Sequence, residues 1–171
     1  MIIRQEQKAD EQVVYNVIKE AFACAEHRDG NEQDLVVALR NSEAFIKELS
    51  LVAEVDGTIV GHILFTKVMV DGKAALALAP LAVLPKYQRQ GIGLFLIKEG
   101  HRIGKELGYS CSIVLGHAEY YKKAGYRPAS QYGIYPPFDV PDENFMAYFL
   151  SEERKDIQGT VLYAPEFGID G

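Results

Sequence analysis

The sequence predicts an α/β fold of the mixed, α+β kind, a central sheet covered by helices. Three observations predict it: apolar residues at helical spacing up to Leu39, β-branched and aliphatic runs broken by Asp-Gly dipeptides from Leu51 onward, and then a strand, a helix and a strand in succession.

Ile2 and Ile3 suggest a short first strand. After Asp10, a candidate N-cap, the residues Val13, Val14, Val17, Ile18, Ala21 and Phe22 recur at helical spacing and predict an amphipathic helix. The stretch CAEHRDGNE interrupts it. Asn31, followed by Glu32 and Asp34, then opens a second helix through Leu35, Val36 and Leu39, with its acidic residues at the positive end of the dipole. Asp56-Gly57 and Asp71-Gly72 are dipeptides that tolerate positive φ and favour two-residue hairpins, so antiparallel strands are expected at about 50–55, 59–70 and 74–84. Pro85 closes the third. The glycines at 91 and 93 open a helix with Ile92, Phe95, Leu96, Ile103 and Leu107 on one side, and Gly108 suits its C′ position. SCSIVLG is the next strand, and a strand–helix–strand unit of this length favours a parallel crossover. A short helix near 117–124, a strand at Tyr126 and late strands in FMAYFL and TVLYA complete the order. No repeat, low-complexity segment or linker divides the chain, so one domain over 1–171 is expected.

The 18 basic and 24 acidic residues give a formal charge of −6, which argues against nucleic acid as a partner, since phosphate binding relies on clustered Lys and Arg. Cys24 and Cys111 match no zinc or CxxC spacing, and a reduced, cytoplasmic protein is the expectation. No run approaches the roughly 18 apolar residues of a membrane span, so no membrane partner is expected. His27, His62 and His101 show no metal spacing, and no metal is expected.

Gly91 and Gly93 stand where a strand feeds a helix N-terminus, a place with unpaired N–H groups and a positive dipole end. A pyrophosphate could approach the glycines closely, with Lys86 and Arg89 adding charge; a tight connection with no ligand fits the glycines alone equally well. A Walker loop needs Gly-Lys-Ser/Thr, and a dinucleotide fold needs G-x-G-x-x-G on a first βα turn. Neither is present.

QRQGIG, with Gln88, Gly91 and Gly93 in a Q/R-x-x-G-x-G/A pattern, LAVLP before it and EYYKKAGY after the next strand together resemble the GNAT acetyltransferase superfamily, over nearly the whole chain. YPPFDVPDENFMAYFL and GTVLYAPEF resemble the end of a bacterial branch of N-acetyltransferases. The resemblance implies the GNAT fold, with a mixed sheet of about six or seven strands splayed between the fourth and fifth. It also implies acetyl-CoA as co-substrate, its pantetheine arm hydrogen-bonded to the backbone of Leu81, Ala82 and Val83. Its pyrophosphate would lie on the amides of Gln88, Arg89, Gln90, Gly91, Ile92 and Gly93. Pro80, which donates no ladder bond, fits a bulge or a splayed edge just before that segment.

The activity implied is direct transfer of the acetyl group to a primary amine of a small molecule or peptide. The alternative is a non-catalytic acyl-CoA-binding module of the same fold. Tyr121, four residues before Gly125, stands where the family's general acid stands. Tyr120 is its competitor, because adjacent helical residues point about 100° apart and only one of them faces the sulfur. His117 is a candidate base and equally a cap or surface residue, and Glu119 or Glu54 could act through water. Cys111, alternating in an apolar strand, reads as a small hydrophobe. Glu26, Asp29 and Glu32 either attract a cationic amine or form a solvated loop, and Tyr132, Tyr135 and Phe138 either wall the acceptor pocket or pack a rigid loop. The late strands leave a homodimer open.

Overall fold

The computed structural model describes residues 1–23, 30–151 and 157–169; Cys24, Glu26, His27 and Asp29 lie outside the described residues. β1 (Ile2–Gln5) lies antiparallel to β2 (Phe45–Val55), and between them run α1 (Glu11–Phe22) and α2 (Glu32–Arg40). β2, β3 (Thr58–Val70) and β4 (Lys73–Val83) form two consecutive hairpins. Their turn residues have φ of 51° (Asp56), 79° (Gly57), 49° (Asp71) and 76° (Gly72), the doubly positive turn that matches strand twist. β2 starts before the expected position because Phe45 already pairs with Thr66.

α3 (Ile92–Glu106) returns the chain to β5 (Cys111–Leu115), which is parallel to β4 as the crossover length predicts. α4 (Ala118–Lys122), β6 (Arg127–Pro128), β7 (Ile134–Tyr135), β8 (Phe145–Phe149) and β9 (Gly159–Leu162) follow. The main path is β1-β2-β3-β4-β5-β8-β6, mixed and seven strands wide. β9 adds to β3 at Met69 and Val70, past the point where β2 begins, and β7 lies parallel to β9. Among the described residues no helix is long and apolar enough to cross a membrane.

The sheet's two faces carry different layers. Ile63 and Phe65 of β3 join Leu96 and Ile97 of α3, while Leu64 joins Val14, Ile18, Val36 and Leu39 of α1 and α2. The α3 face departs from the expected stripe. Phe95 and Leu107 are exposed, and the buried positions are Ile92, Gly93, Leu96, Ile97, Gly100, His101 and Gly104. Glycine is needed here because the helix backbone lies directly on the sheet: a Cβ on Gly100 would sit 2.1 Å from the Phe65 ring, and one on Gly104 would sit 2.8 Å from Leu76. Likewise Asp10 precedes α1 without capping it. Its carboxylate accepts the Gln7 amide at 2.7 Å and both Arg4 terminal nitrogens at 2.7 and 3.1 Å, tying the helix entry to β1; that bond holds the Asp10 carboxyl below its ordinary pKa.

Two histidines are buried in these layers. His101 Nε2 lies 2.9 Å from the Tyr126 hydroxyl, which lies 2.7 Å from Ser112 Oγ, and the imidazole stacks on Tyr148 at 4.6 Å. His62 Nε2 lies 2.9 Å from Ser50 Oγ on the opposite face. Desolvation pushes both down from 6.5 to about 4. The unfolded chain therefore takes up protons that the folded chain refuses. Stability is full above about pH 6.5, falls as pH drops toward 4 and levels off beneath, with a steepest slope of about 1.4 kcal/mol per pH unit for each histidine. Urea midpoints measured from pH 7.5 to 4 should show this fall, and His101→Gln should roughly halve its slope.

Candidate active site

β4 and β5 pair only at Leu76–Ser112, Ala77–Ile113 and Leu78–Val114. Beyond Leu78, β4 keeps only its β3 neighbour, and Ala79 and Pro80 stand opposite the single residue Leu64 of β3, a bulge at the cis Ala79-Pro80 bond. β5 instead pairs through Leu115 with Phe145 and turns away at Gly116, whose backbone Asn144 grips: Gly116 N–H donates to the Asn144 carbonyl at 2.9 Å, and Asn144 Nδ2 donates to the Gly116 carbonyl at 3.0 Å. A wedge opens between the strands.

The polarity of its β4 wall follows from the ladder. Leu84 N–H donates to the Val60 carbonyl at 2.9 Å, so in the antiparallel alternation Ala82 directs its N–H and C=O to His62, while Leu81 and Val83 direct theirs into the wedge. This corrects the expectation for Ala82, which offers the wedge no backbone group. The Val83 carbonyl already accepts Gln88 Nε2 at 2.9 Å, leaving Leu81 the more available of the two.

Past Val83 the chain makes a short 3-10 turn (Pro85–Tyr87), then passes through Arg89 at φ 64° and Gly91 at φ 82°, the α3 N-cap. The first helical bond is Phe95 N–H to the Gly91 carbonyl at 3.0 Å, so the amides of Ile92, Gly93 and Leu94 have no partner inside the helix. Arg89 and Gln90 are exposed beside them; the Ile92 side chain is core and contributes only its amide. The loop is thus a concave turn of N–H groups at a positive helix end, suited to an anion.

The GNAT acetyltransferase domain model matches residues 47–128. An uncharacterised N-acetyltransferase of Escherichia coli K12, YjhQ, is 37% identical over 165 residues, 92% of this chain and 88% of that one. The chain belongs to the GNAT N-acetyltransferases. Among solved GNAT structures, YhbS from Escherichia coli in complex with CoA superposes with a TM-score of 0.89 at 28% identity, covering 99% of this chain and 93% of that one. A GNAT acetyltransferase from Brucella melitensis in complex with acetyl-CoA superposes with a TM-score of 0.80 at 31% identity, covering 97% of each.

In this GNAT chain α4 carries both tyrosines to the wedge. His117 is the N-cap, exposed, and its carbonyl accepts the Tyr120 and Tyr121 amides at 3.2 and 3.1 Å. Tyr121 is packed tightly: a Cβ on Gly116 would sit 2.5 Å from its ring, and it meets Tyr120 and Tyr126 edge-on at 5.1 and 5.7 Å. Its carbonyl accepts the Tyr126 amide at 3.2 Å across the left-handed Gly125. Among the described residues its hydroxyl has no hydrogen-bond partner. Burial, and secondarily Tyr120, raise its pKa well above the ordinary phenol. Tyr120 is raised by burial too, and its hydroxyl lies against the α3 N-terminus, 2.1 Å from where a Gly93 Cβ would stand. The one hydroxyl thus touches the anion loop and the other stays deeper.

Other expected residues separate. Glu54 is bound by Arg4 at 2.7 and 3.1 Å on the β1 side of the sheet, away from the wedge. Cys111 is fully buried with its thiol pushed up to about 12 by desolvation, and so is inert. Tyr132 packs on Phe149 at 4.9 Å, and Phe138 on Phe145 and Tyr163 at 6.0 Å each, while Tyr135 is exposed. Sequence reasoning missed the cavity of about 590 Å³ between α3, α4 and β8, lined by Gly91, Phe95, Lys98 and Lys123. Its signal in the sequence was Lys98, Arg102 and Lys105 lying off the expected apolar stripe of α3. Gly93→Ala should displace the Tyr120 hydroxyl from the α3 N-terminus with a loss of about 1–3 kcal/mol, readable as a lower urea midpoint and a changed Tyr120 environment by NMR.

Proposed function

We propose that the chain, as one domain, transfers the acetyl group of acetyl-CoA directly to a primary amine of a small molecule or peptide. The observation that carries this reading is the wedge beside Leu81 ending at the free amides of the Gly91–Gly93 turn: a strand-like arm fits the first and a pyrophosphate the second. The complexes of YhbS with CoA and of the Brucella protein with acetyl-CoA support it. The cavity that begins at Gly91 would take the adenosine, with Lys98 and Lys123 near its phosphate.

In the reaction a neutral amine attacks the thioester carbonyl, a C–N bond forms, and the C–S bond breaks to release the CoA thiolate. The Leu81 N–H, directed into the wedge, is the donor for the oxyanion. Tyr121 donates a hydrogen bond to the departing sulfur. An ordinary phenol near 10 already exceeds a thiol near 8.5 by about 1.5 units, or about 2 kcal/mol, and burial widens that gap, so Tyr121 stabilises the thiolate without surrendering its proton. The amine's proton passes to solvent or to His117, which stands exposed at the head of α4.

Millimolar acetyl-CoA, at about 100 times its dissociation constant, should stabilise the protein by roughly 2.7 kcal/mol, and Gly91→Glu should abolish the rise in Tm while remaining folded. No rise in the wild type would sink the acetyl-CoA reading. In an amine screen that reads free thiol, Tyr121→Phe should lower kcat about 10- to 100-fold with little change in KM for acetyl-CoA, and Tyr120→Phe should change kcat less than about 3-fold. Binding without turnover of any amine would favour the non-catalytic module, and the reverse order of the two tyrosine effects would transfer the acid role to Tyr120.

A further inference from the structure

A second cavity, of about 620 Å³, lies at the other edge of the sheet, past the end of β1 and beside the start of β2, between the beginning of α1 and the end of α2. From β2 in its wall to β4 beside the wedge are two strand spacings of about 4.8 Å. Phe45, Val37 and Tyr15 give it apolar walls, and its charged lining is Lys8, Lys47 and Arg40 against Glu6 and Glu11, with Glu6 taken up by Arg40. Its volume is that of an ordinary small-molecule site.

The chemistry beneath it is unusual for an edge of a sheet. Glu6, 4% exposed, accepts Arg40 Nε at 3.0 Å and Nη2 at 2.6 Å, and accepts Ser50 Oγ at 3.0 Å. Arg40 Nη1 is engaged by no group among the described residues. Ser50 has one proton, and the acceptor-only Glu6 carboxylate takes it, so the 2.9 Å contact between Ser50 Oγ and His62 Nε2 is an N–H donated by a neutral imidazole. His62 Nδ1 is then a bare acceptor, and it is buried without a partner. His62 is the ladder partner of Ala82, between the two β4 residues that face the wedge. A continuous buried chain, Arg40–Glu6–Ser50–His62, therefore runs from this cavity to β3, whose His62 is laddered to Ala82 of the strand proposed to hold acetyl-CoA.

We propose that the cavity over Arg40 is an effector site for a small organic carboxylate, and that its occupancy changes acetyl-CoA affinity through Glu6, Ser50 and His62. The free guanidinium edge and the two lysines recognise the carboxylate, and Phe45 and Val37 its carbon skeleton. A carboxylate on Arg40 competes with Glu6 for the guanidinium. Glu6 sets the orientation of Ser50, and Ser50 that of the ring beside β4, so binding at one end biases the other. The coupling rests on the acetyl-CoA reading above; the binding does not.

The test uses the full chain and a panel of sodium malonate, citrate and benzoate, with benzamide, sodium sulfate and sodium chloride at matched ionic strength. At least one carboxylate should raise Tm saturably where benzamide, sulfate and chloride do not. The rise should persist in Gly91→Glu, whose acetyl-CoA response is lost, and should vanish in Lys8→Gln/Lys47→Gln, surface changes that leave the Glu6–Arg40 pair intact. The same carboxylate should change the acetyl-CoA Kd about threefold or more in the wild type, and leave it unchanged in Ser50→Ala. The proposal is overturned if no carboxylate acts, if sulfate acts equally, if the rise survives the double lysine variant, or if acetyl-CoA binds with unchanged affinity. Should acetyl-CoA fail to bind the wild type at all, the coupling falls with that reading, and the Tm arms still decide the site.

Discussion

The structure depends on one interruption in a hydrogen-bond ladder. Three residues of β4 pair with β5, and then the two strands part, because the bulge at Ala79-Pro80 bends one and Asn144 holds the other at Gly116. A sheet that stayed zipped would have no use for the glycine turn at the head of α3. A sheet that never paired would not set the two sides at a fixed spacing. The parting leaves Leu81 and Val83 with backbone groups that neither neighbour takes, which is costly in an ordinary interior and useful beside a ligand that brings its own amides.

The same helix serves two ends. Its first turn presents bare amides, and its body lies so close to the sheet that Gly100 and Gly104 rest on Phe65 and Leu76. Close packing places the α3 axis, and hence its N-terminal amides, at a height set by backbone rather than by flexible side chains. Below it, the Tyr126 hydroxyl bonded to Ser112 and His101 gives Tyr121 a rigid ring to lean on. The opposite face is held by ions instead: Arg4 with Asp10 and Glu54, and Arg40 with Glu6. Such pairs tie α1 and α2 to the edge strand at defined angles, which apolar contacts alone specify less narrowly.

Local signals in the sequence determined much of this. The Asp-Gly turns set both hairpins, since few residues accept two successive positive φ values, and the crossover length set the parallel pairing of β4 with β5. Gly91 and Gly93, with Gln88 before them and Tyr121 four residues ahead of Gly125, identified the family. Periodicity placed Ile92, Leu96 and Ile103 of α3 on the core but misplaced Phe95 and Leu107, because it counts large apolar residues and here Gly93, Gly100 and Gly104 share the buried face. Only the tertiary structure decided that Ala82 faces β3 rather than the wedge, that Glu54 belongs to Arg4, that Tyr120 and Tyr121 have different neighbours, and that Glu6, Arg40, Ser50 and His62 form one chain. Each of those depends on ladder parity, or on which of two faces a side chain shares with residues far away in sequence. A single strand or helix read alone carries neither.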